Sequence, residues 1–136
     1  MPEPATRWAL IVHGGAKTID PSLFERNRQG CLAAANAGAL VLRYGGSAVQ
    51  AAEAAVRRLE DDPVFNAGFG SVLNSDGEVE MDAAMMNGTD LAVGAVAGVR
   101  RIRNPVSVAT AMLHARPVLL AGAGAERFAE THGISL

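Results

Sequence analysis

The run Leu91–Val99 (L-A-V-G-A-V-A-G-V) contains no polar or charged side chain, and it constrains the fold more than any other stretch. Short and valine-rich, it reads as a β-strand, whose side chains point alternately to opposite faces. A strand with no polar position has no face to offer water, so protein must cover both sides. Patterns of helical period stand before and after it. The fold class is therefore α+β, and two arrangements satisfy the pattern: helix–sheet–sheet–helix layering or an ordinary α+β sheet. The layers must approach closely, because 49% of the 136 residues are apolar but only 4% aromatic, leaving Ala, Val, Leu and Gly to build the core.

A chain of this length makes one domain or a large piece of one. Its net charge of −2 argues against a nucleic-acid or anionic-membrane partner. Cys31 is the single cysteine; it has no internal disulfide partner and suits a reducing cytoplasm. It reads as a small core residue on a helix face. The apolar run Trp8–Val12 is too short for a membrane span or a signal sequence.

In chain order, Met1–Arg7 reads as a loose end and Trp8–His13 as a buried strand closing on Gly14-Gly15. His13 reads as a hydrogen-bonded residue at the strand end. Asp20-Pro21 starts a helix, with a capping side chain followed by proline. Along it Phe24, Asn27, Cys31, Ala34, Ala35, Gly38, Val41 and Leu42 share a face. Gly30 and Gly38 make sense there if another backbone packs closely against that face. Gly45-Gly46 ends it, and Ser47 with Gln50 forms a capping box for a second helix. Beyond residue 70 the period becomes two. Ser71–Leu73, Val79–Met86 and Leu91–Val99 read as strands of a meander, with turns at Asn74–Gly77 and Asn87-Gly88. Val79, Met81, Ala83 and Met85 share one face; Glu80 and Asp82 share the other, as a solvated or salt-bridged pair. Asn104-Pro105 caps a helix ending before Pro117, and Val118–Ala121 leads through Gly122-Ala-Gly124 into a last helix reaching Phe128.

The second helix delivers the chain to Leu59–Leu73 (L-E-D-D-P-V-F-N-A-G-F-G-S-V-L) and must stop at Asp62, before Pro63. Glu60, Asp61 and Asp62 crowd the negative end of that helix, the wrong sign for its dipole. Gly68 and Gly70 let the chain wind back tightly. Two readings remain: a polar turn with the acids in water, or a ring of inward carbonyls around a hard cation such as Na⁺ or Ca²⁺.

Leu59–Leu73, with Ile11–Ala16 (I-V-H-G-G-A), Gly45–Ala48, Gly77–Ala83 (G-E-V-E-M-D-A), Ala92–Arg101 and Gly124–Phe128 (G-A-E-R-F), resembles the plant-type asparaginases, or isoaspartyl peptidases. These are N-terminal-nucleophile (Ntn) hydrolases. The likeness covers nearly the whole chain, but only the α part of a precursor that cuts itself into α and β chains. It implies that 1–136 is a single partial domain, the α-subunit half of an αββα sandwich. The implied activity is hydrolysis of L-asparagine and of β-aspartyl dipeptides, by a threonine at the N-terminus of a separate β chain, in an (αβ)₂ assembly. It implies a structural Na⁺ held by the main-chain carbonyls of Leu59, Glu60, Asp62, Phe65, Ala67 and Phe69. It places Asn66 close to the nucleophile and makes Gly14 and Gly15 a loop that shapes the site.

The departures are Met85–Gly88 (M-M-N-G), where an aspartate is expected before the glycine, and Ala123, where relatives often carry glutamate. The chain stops at Leu136, short of the mobile linker expected before the cut. Of Thr6, Thr18, Thr89, Thr110 and Thr131, only Thr89 follows a glycine, and Asp90 follows it in place of the expected Val-Gly. The nucleophile is therefore expected outside this chain. Two other classes remain: a homologue that kept the fold but not catalysis, and a small glycine-loop ligand-binding module. Against the module, neither Gly14 nor Gly122 opens a phosphate loop with Lys-Ser/Thr behind it.

Overall fold

The computed structural model describes residues 7–16 and 18–136; most of the Met1–Arg7 end falls outside them. The helix begins where Asp20 and Pro21 place it. Asp20 Oδ1 accepts the Ser22 N–H (2.8 Å), and a 3-10 turn, Pro21–Leu23, leads into α1, Phe24–Arg43. Gly45, at φ +80°, turns the chain with the Gly46 N–H bonded to the Val41 carbonyl (2.9 Å). Ser47 and Gln50 close a complete capping box on α2, Ala48–Glu60. The two helices pack as an antiparallel pair across their small residues. A Cβ on Gly38 would lie 2.8 Å from the Ala51 carbonyl oxygen, so bare backbone is what permits the approach.

Behind this pair lies a three-stranded sheet: β1, Met81–Met86; β2, Val93–Val99; and β3, Leu119–Ala121. β1 pairs antiparallel with β2. β2 then crosses through α3, Pro105–Ala111, to reach β3 in parallel, since parallel strands cannot be joined by a tight turn. α4, Gly122–Thr131, follows. One residue is extra on β2, between the Met81–Val99 and Ala83–Val96 pairs. There Gly98 takes φ +60° and gives its N–H to Asp82 Oδ1 (2.8 Å), a β-bulge with its loose donor satisfied.

Helices cover one face of the sheet. Met81, Val96 and Val99 pack with Val108 of α3, with Met112 at its C-terminal cap and with Ala125 and Ala129 of α4. Met85 packs with Val106, Ala109 and Leu113, where Val49, Ala52 and Val56 of α2 join. The opposite face carries Ala84, Met86, Ala95 and Leu119. Met86 is 56% and Leu119 57% exposed, so the described residues leave this apolar face uncovered.

The meander is corrected in three places, the first at β1, which starts at Met81 and not at Val79. Ser71–Leu73 forms no strand: its backbone is drawn back into the preceding loop, the Ser71 N–H onto the Gly68 carbonyl (3.2 Å) and the Val72 N–H onto Asn66 Oδ1 (2.9 Å). The third strand comes instead from Leu119–Ala121. Leu91–Val99 shortens to Val93–Val99, because Leu91 sits at φ +59° in the turn. Trp8–His13 also forms no strand with a partner among the described residues. The expected burial is also corrected: Trp8 is 43% and Ile11 94% exposed, and only from Ala9 onward does burial alternate, with Leu10 against Gly38 and Val12 in the α1–α2 core. The side-chain pattern of a strand is present without a ladder.

Candidate active site

The acids at the end of α2 find donors within the protein. Asp62 Oδ1 accepts the Val64 N–H (3.0 Å), turning the chain at Pro63. Asp61 Oδ1 faces Arg103 Nε (3.2 Å) and Asn104 Nδ2 (3.3 Å). Glu60 is 4% exposed, and its Oε1 accepts the Val106 N–H at the start of α3 (3.0 Å). Burial pushes the Glu60 carboxyl up to about 7, with the Val106 bond opposing the shift. The charge conflict read from the sequence is thus met by an arginine and by the donor end of another helix. Asn104, expected to cap α3, makes no capping bond; Glu60 does so from forty-six residues away.

Gly68, at φ +53°, lies so close to Glu60 that a Cβ would meet the Glu60 carbonyl, and a Cβ on Gly70 would meet those of Phe65 and Pro63. Carbonyl oxygens are therefore turned into the winding of the loop, in a cradle that only glycine leaves open. Of the expected cation ligands, the Leu59 carbonyl accepts the N–H groups of Asp61 and Asp62, the Asp62 carbonyl that of Phe65 and the Ala67 carbonyl that of Gly70. The Asp62 and Ala67 oxygens each keep a second lone pair. A set of neutral oxygens on a tight loop suits a hard monovalent or divalent cation. Among the described residues no group of three or more His, Cys, Asp or Glu side chains is placed to hold a metal, so the carbonyls would have to supply the cage.

The same loop meets the glycine turn near the N-terminus. His13, Gly14, Gly15 and Ala16 face Leu59, Phe65, Asn66 and Ala67 around a cavity of about 260 Å³. Gly15 takes φ +98°, and its N–H bonds His13 Nδ1 (3.0 Å), the strand-end role expected of that histidine. Phe65, 2% exposed, is the wall between the two segments: its ring lies 2.9 Å from where a Cβ of Gly14 would stand and 2.5 Å from that of Gly30. Asn66 is exposed and holds Val72 through Oδ1. The structure thus unites Gly14, Gly15 and Asn66. The Phe65 ring as a wall and the bond from the Val106 N–H to Glu60 are not among the features expected from the sequence. Glycines at 14 and 30, both yielding space to one ring, were the available signal for Phe65; no spacing rule points to Glu60.

The remaining candidates lie apart. Glu80 is tied to Arg100, Asp82 to the bulge, and Cys31 is half-buried against the Phe65 cluster. Thr89 sits exposed in the β1–β2 turn, its N–H on Asn87 Oδ1 (3.2 Å). No helix of the described residues is long and apolar enough to cross a membrane.

A helix pair packed beside a sheet, with one apolar face of that sheet left bare by the described residues, makes a mixed helix-and-strand body. The asparaginase family matches residues 6–136, and the chain belongs to it. Similar proteins include the isoaspartyl peptidase/L-asparaginase of Bos taurus, 54% identical over 127 residues, covering 92% of this chain and 41% of the relative. The isoaspartyl peptidase/L-asparaginase of Homo sapiens is 50% identical with the same coverage. The plant-type L-asparaginase of Pyrococcus abyssi is 49% identical over 131 residues, covering 92% and 41%. The chain thus spans about two fifths of the length of these relatives.

Proposed function

We propose that this chain is the α portion of a self-processing amidohydrolase that converts L-asparagine to L-aspartate and ammonia and cleaves β-aspartyl dipeptides. The observation that carries the reading is the convergence of Gly14-Gly15 on Asn66-Ala67 around one cavity, in a chain of the asparaginase family. In this scheme a threonine hydroxyl, deprotonated by its own α-amine at the N-terminus of a β chain, attacks the side-chain amide carbonyl. The amine leaves with a proton, and water hydrolyses the resulting ester. Asn66 stands beside that threonine, and Gly14 and Gly15 shape the approach. The carbonyls of Leu59, Glu60, Asp62, Phe65, Ala67 and Phe69 would hold a structural Na⁺, whose charge would stiffen the loop that carries Asn66.

The bare sheet face and the ladderless Trp8–His13 segment support the partner half. Strands of the β chain pair with Trp8–His13, and a second sheet covers Ala84, Met86 and Leu119, completing an αββα sandwich. This makes 1–136 one partial domain of an (αβ)₂ assembly, with the cytoplasm as its compartment on account of the lone cysteine. To test it, the full-length protein is expressed, its fragments are sized and sequenced from their N-termini, and ammonia release from L-asparagine and aspartate release from β-aspartyl-leucine are measured. Two fragments, one beginning with threonine, and both activities are expected. An intact, inactive chain, or turnover by residues 1–136 alone that Thr89→Ala abolishes, would overturn the proposal.

A further inference from the structure

We infer that the side chain of Glu60 is a positioning residue for this site, locking the loop that carries Asn66 to the start of α3; the inference rests on the function proposed above. Glu60 is the last residue of α2 and acts in two directions. Its Oε1 takes the Val106 N–H, the first donor of α3, because Pro105 has none. Its main chain and Cβ press on Gly68, whose own Cβ would stand 2.7 Å from the Glu60 Cβ. Gly68 lies two residues beyond Asn66. On the far side α3 is anchored in the sheet core, with Val106, Val108 and Ala109 essentially inaccessible. Loop, glutamate and helix therefore form one line of contact from Asn66 to the sheet.

The second carboxylate oxygen, Oε2, is buried with no hydrogen-bond partner among the described residues; the neighbouring Asn104 amide bonds Asp61 and also opposes the rise of the Glu60 carboxyl. An orphaned buried oxygen is destabilising. Stability alone gives no reason to keep that unpaired oxygen; the reach of the other oxygen to the Val106 N–H does. The requirement is an acceptor at the length of a glutamate.

Three variants of the full-length protein separate reach from charge. Glu60→Gln keeps the acceptor without the charge, Glu60→Asp keeps the charge but is one methylene too short, and Glu60→Ala has neither. Turnover of β-aspartyl-leucine is measured per mole of processed threonine, alongside hydrogen exchange of segment 61–72. The expected result is kcat within about threefold of wild type for Glu60→Gln, a fall of tenfold or more in kcat with little change in KM for Glu60→Asp, and faster exchange in the loop only for Asp and Ala. If Glu60→Ala does not fold, the Asp–Gln contrast decides alone. Glu60→Gln as impaired as Glu60→Asp, or Glu60→Asp equal to wild type in both readouts, would overturn the inference. If the wild-type protein has no activity, the proposed function fails while the exchange measurement still judges the lock.

Discussion

Phe65 and Gly30 offer a quantitative test of how the site is built. The Phe65 ring, 2% exposed, packs with Ala34, Ala55, Leu59 and Val64, and its edge occupies the space over Gly30 of α1. A Cβ at Gly30 would stand 2.5 and 2.7 Å from Phe65 ring carbons, well inside contact distance. Phe65→Ala removes a buried ring and opens a cavity, at a cost of about 3–5 kcal/mol. Gly30→Ala alone forces the ring aside, roughly 1–3 kcal/mol of overpacking, offset in part by about 1 kcal/mol of helix propensity. In the Phe65→Ala background the ring contacts disappear, leaving only the Asp62 carboxylate at 3.0 Å to shift slightly, and the added methyl both improves the helix and fills part of the void. The double variant should then be about 2 kcal/mol more stable than the sum of the single changes predicts, a coupling well above the ~0.5 kcal/mol error of additivity. Urea unfolding of the full-length protein and its three variants measures it. Additivity within that error, or a double variant less stable than Phe65→Ala, would refute the packing argument.

Gly68→Val should cost more stability than Glu60→Gln, because it places a branched side chain at φ +53° against the Glu60 carbonyl; it should also abolish any rise in melting temperature on replacing choline with sodium, which differential scanning calorimetry reads. Gly94→Ala should destabilise by about 1–3 kcal/mol, since its Cβ would meet the Ala109 carbonyl and lie 2.8 Å from the Met112 backbone; unchanged urea unfolding would contradict the close fit of α3 on β2. The Arg100 guanidinium, bonded to Glu80, holds the Glu80 carboxyl below its ordinary value of 4.5, aided by Asn74. Its stabilising contribution is therefore present above pH 4.5 and lost as the pH falls through the lowered folded value. Arg100→Gln should move the Glu80 midpoint in an NMR titration upward toward 4.5, and an unmoved midpoint would show that the pair is not formed.

Local chemistry determined the parts of this protein that depend on neighbours in sequence. The Asp20-Pro21 start, the Gly45-Gly46 stop, the Ser47–Gln50 box and the Asn74–Gly77 turn all form as read, since each is closed by atoms within a few residues. The methionine face of β1 and the close approach at Gly30 and Gly38 were legible for a similar reason: period and missing side chains record where a neighbour lies, though not which one. Tertiary structure alone decided the neighbours. Ser71–Leu73 has a strand's composition, but Asn66 and Gly68 take its donors. Trp8–His13 has the apolar run of a buried strand, yet it exposes Trp8 and Ile11 and lacks a ladder among the described residues, because backbone pairing requires another strand and side-chain pattern cannot create one. The acids at the end of α2 were read against their own helix, where their sign is wrong. Only the fold brings Arg103 and the Val106 N–H to them, because a carboxylate binds whichever donor space delivers, and sequence records order, not distance.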